Sequence, residues 1–254
     1  HIATWNGVAW SALGTGLLEV PEALAVYKGS LVAGGQMWNG STWTTLGSGP
    51  DMLVYAMLVV DGDLIAGGCQ VIGIHCYPRV KRWDGVAWAV IGSLPSPANG
   101  SDVRALTMYQ DKLALGGSTF GMTSNVYQWM GGGWTPLGNA PIWIWAYTLT
   151  PFEGNLVAGG ETLGAPGYSG IWRWDRTTWK PLGAGVDNTV FAVLARGRTL
   201  VVGGTFDTAG GLPSPFWARY GCPCEPDCNN SGTLTVADFG CFQSQYVLAH
   251  PYAD

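Results

Sequence analysis

The sequence has little charge and few basic residues. Only 11% of its 254 residues are Asp, Glu, Lys or Arg, and the 12 lysines and arginines are outnumbered by 17 acidic residues. They form no basic stripe that would neutralise phosphates, so nucleic-acid binding is not expected and anionic membrane surfaces are disfavoured. No run of about eighteen apolar residues occurs, and a transmembrane helix is therefore not expected either.

Histidine is also scarce, which restricts the catalytic chemistry available. With three histidines in the chain, a Ser-His-Asp set would need His75 or His250, and neither accompanies a G-x-S-x-G motif. Paired carboxylates for glycoside chemistry are not supported, because many carboxylates occupy turn positions where hydrogen bonds to the backbone explain them. Examples are Asp61, Asp84, Asp111 and Asp175. We assign no catalytic residue.

Glycine and tryptophan are abundant instead, with 39 and 14 copies, and 47% of the residues are apolar, enough for a large core. Most tryptophans belong to a ten-residue pattern, W-[ND]-G-x-x-W-x-x-[LI]-G, whose turn dipeptide is altered in the last two copies. The copies span residues 5–14, 38–47, 83–92, 129–138 and 174–183. Because the spacing of the two tryptophans never changes, the pattern is a structural repeat, and its tryptophans are expected to pack between repeats.

A second pattern accompanies each copy: an apolar run, a turn containing Gly, and a run that ends in Gly-Gly. These turns are typical of β-hairpins, so each unit is interpreted as four short antiparallel strands. A period near 45 residues is that of a propeller blade. The sequence therefore predicts an all-β fold, a β-propeller of four-stranded blades, over residues 1–221. Since Trp38 follows Trp5 by only 33 residues, the first of these blades should be truncated on one edge.

The Gly-Gly dipeptides, followed by an aromatic residue and a Trp at near-fixed spacing, resemble kelch-type bacterial propeller repeats. The resemblance covers Trp5 to about Tyr220, although Trp stands where that family usually has Tyr. Residues 2–7 and 216–221 both align with the same strand, so one is surplus to a closed ring. The chain, which does not begin with Met, is therefore expected to be a fragment of a ring of about six to eight blades.

Residues 222–254 form a separate segment that begins with a stiff Cys-Pro-Cys-Glu-Pro linker. The sequence from 227 to 238 fits a calcium loop, with Gly232 supplying the sharp turn at its sixth position. The ligands would be Asp227, Asn229, Ser231, the Thr233 carbonyl, Thr235 and Asp238. The alternative is a polar linker with a turn rich in Asn and Asp.

Apolar residues recur at helical spacing over residues 236–249. A calcium loop with an exiting helix but no entering helix resembles half of a dockerin, and Cys228 and Cys241 look like the cysteine-containing (GC-type) bacterial form. The resemblance implies Ca²⁺ as cofactor and a cohesin-like or cell-surface protein as partner. Thr235 stands where Asp or Asn is usual, and Asp238 stands where an EF-hand has Glu, a difference that dockerins commonly share. Because only Asp227 and Asp238 are certain charged ligands, calcium affinity should be modest.

The cysteines favour disulfides in an oxidising compartment, and hence an extracellular or cell-surface protein. The six are Cys69, Cys76, Cys222, Cys224, Cys228 and Cys241. Spacings of C-x-C and C-x3-C match neither a regular zinc pair nor a C-x-x-C motif. Cys69 and Cys76 are expected to form a loop disulfide, with metal ligation alongside His75 as the alternative.

A ligand surface is sought where the repeats differ. Alignment on the alanine of each inner strand leaves a variable position just before it, occupied by Glu22, Tyr55, Arg104, Trp145 and Phe191. The innermost strand of kelch-type folds faces the central channel, so these side chains are expected to ring one mouth of it. Ordinary variation at a strand entrance is the alternative. Trp143 and Trp145 share a strand face outside the repeated pattern and are the better candidates for stacking on sugars.

The predicted function is that of a secreted, non-catalytic propeller that presents an interaction surface and carries a calcium-dependent docking tag. Polysaccharide is a further candidate ligand. Two alternatives stay open: a carbohydrate-active propeller enzyme, hydrolase or lyase, and a structural cell-surface repeat protein. A carboxylate pair, or a His and Tyr cluster, at the channel mouth would favour the enzyme, whereas an apolar, plugged channel would favour the structural protein.

Calcium should raise the helix content of this chain, because the loop orders the residues that follow it. Far-ultraviolet circular dichroism during a titration to millimolar calcium checks this, with a dissociation constant expected on the order of 10⁻⁵ to 10⁻³ M. Asp227→Ala should abolish the change, and Asp61→Ala, which alters a carboxylate in a hairpin turn, should leave it intact. Unchanged helicity at millimolar calcium would contradict the prediction.

Overall fold

The structure is a computed structural model that describes residues 2–17, 19–94, 100–118, 125–138, 144–162, 170–221 and 236. Its strands are β1 Ala3–Trp5, β2 Trp10–Ala12, β3 Leu24–Tyr27, β4 Ser30–Ala33, β5 Gln36–Trp38, β6 Trp43–Thr45, β7 Leu53–Val60, β8 Asp63–Ile72, β9 His75–Trp83, β10 Trp88–Val90, β11 Asp102–Tyr109, β12 Lys112–Ser118, β13 Val126–Trp129, β14 Trp134–Pro136, β15 Ile144–Phe152, β16 Asn155–Thr162, β17 Ile171–Trp174, β18 Trp179–Pro181, β19 Val190–Arg196, β20 Thr199–Gly204, β21 Thr208–Ala209, β22 Leu212–Pro213 and β23 Trp217–Tyr220. Across these ranges, no helix has the length and apolar character needed to cross a membrane.

The strands build a series of antiparallel sheets in chain order. Four sheets have four strands each: sheet 1 (β3–β6), sheet 2 (β7–β10), sheet 3 (β11–β14) and sheet 4 (β15–β18). Sheet 5 contains β19, β20 and β23. The hairpins β1–β2 and β21–β22 form two further sheets of two strands each. The inner strands β3, β7, β11, β15 and β19 contact one another in that order. These repeated sheets confirm the predicted all-β, blade-like architecture.

The second glycine of each Gly-Gly pair permits a bulge in the inner strand of sheets 2 to 5. The pairing register shifts between Val54 and Ala56, Val103 and Ala105, Ala146 and Thr148, and Val190 and Ala192. A bulge of this kind bends its strand. In sheet 4, a Cβ on Gly160 would overlap the carbonyl oxygen of Trp145, and Gly68, Gly117 and Gly204 are equally confined. No residue with a Cβ fits at these positions without moving the backbone.

In sheets 2 to 4, the first glycine of the pair packs against the inner strand of the next sheet. A Cβ on Gly67 would lie 2.7 Å from Val103 Cγ1 in sheet 3, and one on Gly116 would lie 2.9 Å from Ala146 Cβ in sheet 4. Val103 and Ala146 are fully buried. The dipeptide therefore serves both the bulge within a sheet and the close packing of inner strands between sheets.

The ten-residue pattern ties each sheet to the preceding one. The indole N–H of its second Trp donates to the carbonyl of the residue before the last Gly of the previous copy. These bonds are Trp43 to Leu13 at 3.1 Å, Trp88 to Leu46 at 3.0 Å, Trp134 to Ile91 at 2.9 Å and Trp179 to Leu137 at 2.7 Å. The predicted packing between repeats is thus confirmed for these copies. It stays untested for Trp5 and Trp10, which are 50% and 71% exposed and whose hairpin follows no described sheet.

Sheet 1 shows the predicted truncation in a particular form. It keeps four strands, but β3 and β4 have four residues each, whereas β7 and β8 have eight and ten. Gly34 and Gly35 form a two-residue turn with φ of 55° and 92°, values typical of a type I′ hairpin. Sheet 1 therefore ends where the other sheets continue into the bulge.

Replacing Gly160 by Ala should destabilise the protein by about 3 kcal/mol or more, because the added methyl group meets the Trp145 carbonyl and the strand must move. Gly132→Ala is the matched control, since a Cβ there meets nothing within 4 Å, and it should change stability by less than about 0.5 kcal/mol. Urea unfolding followed by tryptophan fluorescence checks both. Equal unfolding midpoints for the two variants would contradict the role of the second glycine.

Candidate functional site

The bulges place one side chain from each of four sheets in a continuous row. The residues at the register shifts are Tyr55, Arg104, Tyr147 and Phe191, which we call the bulge row. The guanidinium carbon of Arg104 lies 4.7 Å from the ring centre of Tyr55 and 5.6 Å from that of Tyr147. The rings of Tyr147 and Phe191 stack, with centres 5.7 Å apart and planes inclined by 26°. The row therefore places one cationic group among three aromatic rings, with each contact crossing a sheet boundary.

Tyr147 takes the place in this row that sequence alignment gave to Trp145. Ala146 pairs just before the register shift, where sheets 2, 3 and 5 have Val, and Thr148 follows the shift, where they have Ala. Aligning the repeats on their alanines therefore shifted the repeat of sheet 4 by two residues relative to the others. Trp145 pairs with Glu161 before the bulge, so it is not the residue at the register shift, and its part in ligand binding stays a prediction. Aligning on Gly159 and Gly160 would have found Tyr147.

Of the other predicted site residues, Glu22 lies beside Tyr55 of the row, with which it lines a cavity. Glu22 is exposed and lies just before β3, in the sheet without a register shift. Trp143 lies outside the described residues, as do Asp227, Asn229, Ser231, Thr233, Thr235 and Asp238 of the calcium loop and Cys222, Cys224, Cys228 and Cys241. Calcium ligation and those cysteine pairings stay predictions.

Arg104 is fixed by Asp102. Its Nε and Nη2 both donate to Oδ2 of Asp102, at 2.9 and 2.7 Å, and the hydroxyl of Ser118 donates to the other carboxylate oxygen at 2.6 Å. Burial lowers the pKa of Arg104, but the hydrogen bond and charge of Asp102 outweigh this effect and raise it above its ordinary value. The guanidinium is therefore charged and compensated, and its side chain keeps 37% of its surface exposed.

The tyrosines of the row are held in the neutral form. Tyr147 donates its hydroxyl to Oε2 of Glu161 at 3.0 Å. Burial, this hydrogen bond and the charge of Glu161 raise the pKa of Tyr147 to about 12. Burial also raises the pKa of Tyr55, with further contributions from the charges of Asp102 and Glu22. At neutral pH both phenols can donate and accept hydrogen bonds, but neither is a base.

A disulfide between Cys69 and Cys76 lies beside the row and links β8 to β9, which confirms the predicted loop disulfide. The sulfur of Cys69 is 4.0 Å from the hydroxyl oxygen of Tyr55. His75 therefore does not share a metal with these cysteines, whose sulfurs are bonded to each other. Among the described residues, no group of three or more His, Cys, Asp or Glu could hold a metal ion.

Two of the carboxylates assigned to turns hold their turns as predicted. Asp84 Oδ1 accepts hydrogen bonds from the backbone N–H groups of Val86 and Ala87, which lower its pKa. Asp175 accepts from the N–H groups of Thr177 and Thr178. These carboxylates are structural and take no part in the bulge row.

Neither a protein-family model nor a curated protein sequence matches the chain. Solved structures do. The computationally designed protein Ika8 is 18% identical, with a TM-score of 0.52 over 76% of this chain, and this chain spans 57% of the length of Ika8. The structure of YjhT is 13% identical, with a TM-score of 0.50 over 72% of each chain. At these identities the likeness shows the fold alone. The fold is β-propeller-like.

Tyr147 should stay protonated near pH 11, where an exposed tyrosine with a pKa of about 10 is ionised. Its folded-state pKa of about 12 exceeds the unfolded value, so the associated stabilisation is complete below about pH 10 and is lost as the pH rises through 12. Nuclear magnetic resonance of ¹³C-labelled tyrosine checks this, with Tyr147→Phe assigning the signal. Glu161→Gln should lower the pKa of Tyr147 and Glu153→Gln should not. Titration of Tyr147 together with the exposed tyrosines would contradict the burial of its hydroxyl.

Proposed function

We propose that this protein is a non-catalytic propeller that binds a protein partner through the bulge row and is docked by a calcium-dependent tag at residues 222–254. The observation that carries the proposal is the row itself. Tyr and Arg dominate the energetic centres of protein interfaces, and here Asp102, Glu161 and mutual stacking hold them in place. Such side chains lose little rotamer freedom on binding. Phe191, at the end of the row, is 55% exposed.

The stacking within the row favours a protein over a polysaccharide as the ligand. Sugar rings stack on exposed aromatic faces, but Tyr147 already stacks on Phe191 and contacts Arg104, which also covers one side of the Tyr55 ring. The row offers instead ring edges, phenol hydroxyls and a guanidinium. These groups complement the mixed polar and aromatic surface of a protein interface.

Ionisation of the row supports binding over catalysis. Arg104 is neutralised by Asp102, and the pKa values of Tyr55 and Tyr147 are raised, so no group of the row is poised to exchange a proton near neutral pH. The Cys69–Cys76 disulfide supports an oxidising, extracellular or cell-surface location. A kelch-type ring as scaffold and a dockerin-like tag as anchor complete the proposal.

A carbohydrate-active enzyme is the second candidate, and one contact favours it. The hydrogen bond between Tyr147 and Glu161 places a phenol and a carboxylate side by side. Tyr147 is also in contact with Arg104, its neighbour in the bulge row. Groups of this kind serve glycoside chemistry in some enzymes, although a phenol with a pKa of about 12 ionises with difficulty. Release of products from a polysaccharide panel, lost in Glu161→Gln, would favour the enzyme over the binding protein.

A photo-crosslinking amino acid at position 191 should capture one discrete partner from the surface and medium of the producing cells. The same amino acid at position 86 is the matched control, because Val86 is 82% exposed and lies in the turn beyond Trp83, at the end of sheet 2 away from its bulge. Excess unlabelled protein should compete with the crosslink, and an Arg104→Met variant should compete at least about tenfold less well, as expected for an interface centre. Equal labelling from positions 191 and 86 would overturn the proposal.

A further inference from the structure

Sheet 1 leaves a gap at the Tyr55 end of the bulge row. Since β3 pairs without a register shift, none of the described side chains of sheet 1 continues the row. A cavity of about 150 Å³ lies there instead, between sheets 1 and 2. Its wall includes Leu17, Glu19, Glu22, Val54 and Tyr55. Because one water takes up about 30 Å³ in the liquid, the cavity has room for a group of several heavy atoms.

The cavity repeats the surroundings of Arg104. Strand β7, which carries Tyr55, contacts β11 of sheet 3 and β3 of sheet 1, so Arg104 and the cavity approach Tyr55 from opposite sides. Arg104 lies over the Tyr55 ring and pairs with the carboxylate of Asp102. The cavity offers the same tyrosine together with the carboxylates of Glu19 and Glu22. It therefore has the anionic and aromatic parts of the Arg104 arrangement without the cation.

The two carboxylates of the cavity form no ion pair with a cation of the described residues. The ion pairs within the described residues use Asp63, Asp102, Asp175 and Glu153 as their acids. Glu19 and Glu22 take part in none of them, and both residues are exposed. Their negative charges are therefore accessible to a ligand from outside.

We propose that this cavity binds the guanidinium group of an arginine side chain presented by the partner protein. A guanidinium against a tyrosine ring gains cation–π attraction, and carboxylates add charge-assisted hydrogen bonds. Leu17 and Val54 are buried apolar residues of the wall that receive the methylene stem. That an arginine of a partner protein supplies the guanidinium rests on the proposed function. The affinity of the cavity for a guanidinium can be measured without any partner.

The test uses n-butylguanidinium as probe and its neutral counterpart n-butylurea as comparison. Titrated into the ¹⁵N-labelled full chain at low salt, n-butylguanidinium should shift the backbone amides of Gly34, Gln36 and Val54, which line the cavity. Its dissociation constant should be on the order of 1 mM, as suits a ligand of eight heavy atoms. n-Butylurea should bind at least about tenfold more weakly, because it cannot form the charge-assisted contacts. Equal binding of the two probes, or no shift with n-butylguanidinium, would overturn the proposal.

Substitutions then assign the contacts. Glu22→Gln and Glu19→Gln should each weaken n-butylguanidinium binding about threefold, and the double variant about tenfold. Tyr55→Leu should weaken it about fivefold, whereas Tyr55→Phe keeps the aromatic face and should retain most of the affinity. Glu153→Gln, which removes a carboxylate paired with Arg198 elsewhere, is the matched control and should change nothing. Unchanged affinity in the Glu19 and Glu22 double variant would overturn the assignment.

The two proposals fail separately. A crosslink from position 191 that survives while n-butylguanidinium does not bind would refute the cavity and leave the partner surface intact. Binding of n-butylguanidinium without any crosslink from position 191 would support the cavity and refute the bulge row as the partner surface. Urea unfolding of each variant confirms that lost binding reflects the contact and not a loss of fold.

Discussion

The close approach of a backbone carbonyl to the second glycine of each Gly-Gly pair is the contact on which the site depends. In sheets 2 to 5 the missing Cβ permits this approach, and the inner strand bulges there. A bulge redirects the residue that it leaves unpaired. Because the same device recurs in adjacent sheets, the redirected side chains meet one another and form a row. The bulge thus recurs for reasons of backbone geometry. The side chains that it redirects differ from sheet to sheet, and they form the surface at which the sheets differ chemically.

The row also requires that successive sheets keep a fixed relation to one another. The tryptophans provide this, because each second indole donates to a carbonyl of the preceding repeat. A contact such as that of Arg104 with rings from two other sheets would not persist if neighbouring sheets could slide. The tryptophans therefore act on the site indirectly, by fixing the spacing between sheets, although most of them lie far from the row.

The scaffold could be predicted from the sequence because glycine and tryptophan have local, repeated roles. Hairpin turns, the four-strand period, the disulfide and the short sheet 1 all leave a pattern in neighbouring residues. The site could be predicted only in part. Tyr55, Arg104 and Phe191 were found as variable positions, but Tyr147 was missed because sheet 4 has alanine before its bulge instead of after it. Asp102 and Glu161 could not be predicted, because the contacts that they make depend on the three-dimensional path of the bulged strand. The periodicity of the sequence does not give that path.

Sheet 1 interrupts this regular design at the Tyr55 end of the row. Its tight glycine turn removes the bulge, and with it the side chain that would have extended the row past Tyr55. At this place the ring of Tyr55 lies beside two exposed carboxylates, Glu19 and Glu22, that form no ion pair among the described residues. Arg104 shows how the protein itself fills the equivalent place on the other side of Tyr55. In the proposed complex, a guanidinium from the partner takes the corresponding place at the cavity, between Tyr55 and the two carboxylates.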